Sequence, residues 1–117
     1  MSDSTLTVSI GRDVLLPGGV GYRPMSTLRW EDFQSDARLI VIEQGGIIRF
    51  AGAGRGYWDG GREDSYTIVA SVPNNKHLEL LGEYSVLAHK YDQEAVALTW
   101  GETFMATATP DYEVFNL

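Results

Sequence analysis

The 117-residue chain holds 16 acidic and 9 basic residues, a net charge of −7, with 44% hydrophobic residues and no cysteine. That length supports one domain with a real core, and the missing cysteines exclude disulfides, thiolate catalysis and Cys-based zinc sites. Residues 1–78 nearly balance nine acids against eight bases, whereas residues 79–117 hold seven acids and only Lys90. Such an acidic half argues against binding duplex nucleic acid, which needs clustered Lys and Arg to displace counterions. The opening residues lack a basic-then-apolar secretory pattern, and the longest aliphatic run, Leu39–Ile42, is too short to cross a bilayer. A cytoplasmic protein without membrane contact is therefore expected.

The first predicted element is a strand over 5–10, where Leu6, Val8 and Ile10 alternate with Thr5, Thr7 and Ser9. "LLPGGVGYRP" (15–24) reads as a long loop. After it, Ser26 is a candidate N-cap for a helix whose Trp30, Phe33, Ala37, Ile40 and Val41 share one face. Gly45–Gly46 supply a stop, although Leu39–Ile42 fits strand as well as helix. A second strand over 47–58 and a third over 63–72 flank "DGG" (59–61), a hairpin signal. A second helix is expected to open at Pro73–Asn75 with an Asn cap, its stripe formed by Leu80, Leu81, Tyr84, Leu87, Ala88 and Tyr91. Strands over 94–100 and 103–109, joined by a turn at 101–102, precede an acidic, aromatic tail over 110–117.

Strand, helix, strand, strand, helix, strand, with an added C-terminal strand, predicts an α+β ferredoxin-like plait. Residues 1–109 form its single domain and 110–117 a tail. Two helices on one face leave the other face of the antiparallel sheet open. Thr67, Val69, Ser71, Ala95, Ala97 and Thr99 would line that face, and their small, mildly polar side chains suit a homo-oligomer.

Chemistry is harder to find. All seven arginines lie within 12–62, and guanidinium forks suit carboxylates and phosphates. Arg55, Tyr57, Trp58 and Arg62 stand among glycines in "AGAGRGYWDGGRED", and Tyr22 and Arg23 repeat that grammar in "GYR". Aromatic faces beside guanidiniums are a way to hold a small anionic or nucleotide-like ligand. The competing reading makes the glycines a twisted strand end, with Trp58 packed and the arginines paired to Glu63 and Asp64. There is no G-x-G-x-x-G, no P-loop and no H-E-x-x-H, so no cofactor or metal is expected. His77 and His89 sit twelve residues apart on one helix, roughly 120° out of phase, and cannot share a metal. Glu63 and Asp64, adjacent on a strand, point to opposite faces and cannot easily share a ligand.

"GYWDGGREDSY" and "YDQEAVAL" resemble the domain-of-unknown-function 3574 family of small bacterial and phage proteins over about residues 27–100. Trp58 and the run Tyr91-Asp92-Gln93-Glu94-Ala95-Val96 carry that resemblance. It implies the plait and lends no catalytic residue, because the family has no assigned activity. Three functions stay open: a non-catalytic holder of a small ligand, on the scale of phage counter-defence proteins; an acidic protein-protein inhibitor or adaptor; and a cofactor-free enzyme in a dimer cleft. The adaptor would present Glu102, Asp111 and Glu113 to a basic partner. The enzyme requires an enclosed pocket containing a titrating side chain with a shifted pKa.

Overall fold

The structure, a computed structural model, describes residues 3–58, 61–100 and 103–109, with the side chains of 57, 58 and 103–105 outside the description. Its five-stranded antiparallel sheet has the order β4-β5-β1-β6-β7. In the chain these strands are β1 (Asp3–Gly11), β4 (Ile47–Trp58), β5 (Gly61–Pro73), β6 (Ala95–Thr99) and β7 (Thr103–Thr107). Two helices, α1 (Thr27–Glu43) and α2 (His77–Lys90), complete an α+β domain.

Strict alternation puts Leu6, Val8 and Ile10 of β1 in register with Ala70, Ile68 and Tyr66 of β5. All six are buried, together with Val96 and Leu98 of β6. The helices close this face. The buried residues of α1 are Trp30, Phe33, Ala37, Ile40 and Val41, the stripe expected from its spacing. Ser26 caps α1 as expected, its hydroxyl accepting from the Arg29 N–H at 3.2 Å. Leu39–Ile42 is helix, and Gly45 follows at φ 82, where a side chain would be strained. Tyr84 on α2 ties the helices together by donating its hydroxyl to the Ala37 carbonyl at 2.7 Å.

Two expectations need correction. The stretch 15–24 is not wholly loop: Asp13–Leu15 (β2) and Tyr22–Pro24 (β3) pair as a small antiparallel ribbon around a 3₁₀ turn at Pro17–Gly19. Strands of three residues are too short for alternation to reveal. Helix α2 is capped by Lys76 rather than by an asparagine, and that cap makes no side-chain hydrogen bond. The turn at 59–60, the turn at 101–102 and the tail at 110–117 lie outside the described residues. Among the described residues no helix is long and apolar enough to cross a membrane.

Candidate functional site

The alternation that buries one face of the sheet presents Thr7, Ser9, Ser65, Thr67, Ala95 and Ala97 on the other, where all are half-buried or exposed. At one end of this open face lies a cavity of about 350 Å³. Its floor is built from short side chains: Ser9 and Gly11 of β1, Gly56 of β4, Ser65 of β5, and Ala95 and Ala97 of β6. Leu15 and Tyr22 of the β2–β3 ribbon form one wall, and Asp92, Gln93 and Glu94 after α2 form another. The walls meet where the Tyr22 hydroxyl donates to Glu94 Oε1 at 2.8 Å and Gln93 Nε2 donates to the Asp13 carbonyl at 3.0 Å.

Carboxylates dominate this site: Asp13, Glu63, Asp92 and Glu94 line it, with no lysine or arginine lining it among the described residues. Glu63 is the most constrained. It shares a face with Ser65, while Asp64 turns to the opposite face and pairs with Arg12 at 3.1 Å. The Glu63 carboxylate accepts the Asp13 N–H at 2.9 Å and occupies the space that a Cβ on Gly11 would need. Any side chain at residue 11 would displace the carboxylate from this position. Burial, first of all, pushes the Glu63 pKa up, and the charges of Asp13 and Asp64 add to the rise, against the lowering effect of the Asp13 N–H. The Asp13 pKa is raised too, by burial and then by Asp64, with Arg12 opposing.

Of the expected ligand residues, Tyr22 lines the cavity. Arg23 is exposed on β3, and since Tyr22 faces the cavity, alternation sends its neighbour away from it. Arg55 pairs in register with Asp64, and Gly56 beside it lines the cavity, so Arg55 falls on the helix-bearing side. Arg62 is exposed and precedes cavity-lining Glu63, which puts it on that side as well. The backbones of Tyr57 and Trp58 pair with Arg62 and Gly61, and their side chains lie outside the description. Glu102, Asp111 and Glu113 lie outside the described residues. The expected pairing of arginine with Asp64 does occur, but with Arg12.

Sequence reasoning missed Asp13 and Glu63 as site residues. The available signal was the opposition of Glu63 and Asp64 across the strand, which frees one acid for each face. Among the described residues no group of His, Cys, Asp and Glu is arranged to hold a metal ion.

No family model matches the sequence, and no curated protein matches it. Solved structures similar to this chain include a phage SAM lyase in complex with S-methyl-5′-thioadenosine, at 19% identity and a TM-score of 0.53. That match covers 92% of this chain and 91% of the other. A phage SAM lyase in the apo state matches at 17% identity and a TM-score of 0.48, covering 92% of this chain and 83% of the other. At such identities the likeness to the liganded lyase is one of fold, extending over nearly the whole of both chains.

Proposed function

We propose that the cavity on the open face binds a nucleoside-sized sulfonium cation, SAM being the candidate, and that the protein is an enzyme cleaving it as a lyase. The observation that carries this reading is the Glu63 carboxylate, held over Gly11 inside a cavity whose other charged residues are also acidic. A positively charged ligand suits that lining better than the anionic one expected from the arginines. The fold likeness to a phage SAM lyase supports it independently. A floor of glycine, serine and alanine gives a flat ring room to lie on the sheet.

Release of S-methyl-5′-thioadenosine from SAM breaks a carbon–sulfur bond, and the electron pair stays on sulfur, which becomes a neutral thioether. The bond that replaces it comes from within the substrate: an oxygen of its own α-carboxylate attacks the γ-carbon as the sulfur leaves, closing a lactone, so no water, proton or cofactor is consumed. Positive charge therefore disappears on the way to the transition state. A fully ionised carboxylate beside the sulfur would hold the ground state more tightly than the transition state. Glu63 and Asp13 therefore serve to bind and orient the cation, and bond cleavage itself draws nothing from their charge.

Two finer readings belong to the same proposal. The order β4-β5-β1-β6, with β7 added and the β2–β3 ribbon inserted, supports a ferredoxin-like plait. Kinship with the domain-of-unknown-function 3574 family rests on Trp58 and residues 91–96.

Incubating the protein with SAM and following S-methyl-5′-thioadenosine by chromatography tests the activity. Glu63→Gln is expected to raise KM for SAM about ten-fold while changing kcat less. SAM bound but never turned over would return the protein to the non-catalytic holder. No binding of SAM would remove the reading.

A further inference from the structure

The end of α2 carries a feature that the fold alone does not require. The Gln93 N–H donates to the Ala88 carbonyl at 2.8 Å and the Asp92 N–H to the His89 carbonyl at 3.2 Å, the paired bonds of a Schellman stop. The residue at the left-handed position of that stop is usually glycine. Here it is Asp92, at φ 57, and among the described residues no other non-glycine residue has positive φ. Aspartate tolerates this conformation better than most residues but still carries a cost that glycine would not. Its side chain is 71% exposed, and it lines the cavity beside Gln93 and Glu94. Its charged neighbour Arg29 reaches it at only 3.5 Å, and the same Nη2 makes a shorter bond, 2.8 Å, to the Lys90 carbonyl. Arg29 thus satisfies the helix end first and engages the Asp92 carboxylate weakly.

We infer that Asp92 is a ligand-binding residue whose carboxylate, set at the cavity rim by the left-handed turn, faces a cationic group of the bound ligand. This assignment rests on the reading of the cavity as a site for a positively charged nucleoside. The ligand class is then narrower than nucleosides in general. Affinity depends on a positive group, the sulfonium or the ammonium of the amino-acid arm, within reach of residue 92.

The wild type, Asp92→Asn and Asp92→Gly test it, by KM for SAM where SAM is turned over (by calorimetric titration where it is not) and by calorimetric titration with S-adenosylhomocysteine and S-methyl-5′-thioadenosine. Asparagine keeps size and left-handed tolerance while removing charge; glycine also removes the backbone cost. Both variants are expected to bind SAM roughly three- to five-fold more weakly, the scale of a partly solvated ion pair, and the neutral thioadenosine unchanged. Asp92→Gly should also melt about 2–4 °C higher. A loss confined to SAM assigns Asp92 to the sulfonium, and a loss shared with S-adenosylhomocysteine assigns it to the ammonium. Unchanged SAM affinity in both variants, equal weakening for the thioadenosine, or a lower melting temperature for Asp92→Gly overturns the assignment and leaves Asp92 a structural partner of Arg29. A wild type that binds none of the three removes the reading of the cavity as well, which separates the two failures.

Discussion

Gly11 and Glu63 are each intelligible only through the other. A methyl group at residue 11 would occupy the place of the Glu63 carboxylate, which is the mobile end of a flexible side chain and can be displaced. Gly11→Ala is therefore expected to leave the fold intact, within about 1 kcal/mol, while weakening ligand binding nearly as much as removing Glu63. Thermal melting and ligand titration on the same sample check both halves; an alanine variant with wild-type affinity would mean that the carboxylate's position is immaterial. Little of this pairing was legible beforehand. Gly11 ends β1 and Glu63 stands two residues into β5, 52 residues later, and only the antiparallel register, with Gly11 opposite Ser65, brings them together. The arginines drew attention because they cluster in sequence, yet strand alternation carries Arg55 and Arg62 to the face away from the cavity.

The helices were far easier to anticipate, because a 3.6-residue stripe is a local signal that survives without tertiary information. What the stripe does not disclose is the clasp at its edge. The Tyr91 hydroxyl donates to Asp36 Oδ2 at 2.5 Å, Lys90 Nζ donates to the same oxygen at 3.0 Å, and the Tyr91 ring stacks on Phe33 with centroids 4.6 Å apart. Burial raises the Asp36 pKa, but the bonds from Tyr91 and Lys90 outweigh it and the net shift is downward. A lowered carboxylate pKa contributes stability above its ordinary value that is lost as pH falls through the folded-state value. Tyr91→Phe is expected to cost about 1–2 kcal/mol at neutral pH, with the gap closing as the pH falls below the ordinary carboxylate value of 3.8. Urea unfolding at several pH values measures this, and a gap independent of pH would detach the effect from Asp36. Tyr91 also immediately precedes the cavity wall at 92–94, so the clasp fixes where that wall begins. The short β2–β3 ribbon supplies the facing wall and escaped the sequence reading because its glycines and prolines resemble ordinary loop punctuation.

At the scale of the whole molecule, the open face is the unfinished surface. Phe50 and Ile47 on edge strand β4 are 58% and 55% exposed, and the middle of the face is paved by Thr, Ser and Ala. This composition supports the proposal that a second copy covers part of the face. Sedimentation at micromolar concentration is expected to show an oligomer, and Phe50→Glu to shift it toward monomer; a wild-type monomer would end the proposal. The class of fold was readable because the order of strands and helices is written directly along the chain. The cavity was not, since its lining comes from separate segments whose meeting depends on how strands far apart in sequence lie side by side.

Strand β1 sits in the middle of the sheet, yet its neighbours arrive late. Asp3 lies opposite Pro73, and Thr7 lies opposite both Val69 and Thr99. Every backbone bond that secures this strand must therefore wait for a long loop to close, from 54 residues between Gly11 and Ser65 to 92 between Thr7 and Thr99. Until then Leu6, Val8 and Ile10 form an apolar stripe with no strand beside it. The helices can form early, but the central strand cannot, which makes its docking the slow, long-range event of folding. During synthesis the same strand is the segment most in need of shelter from other chains.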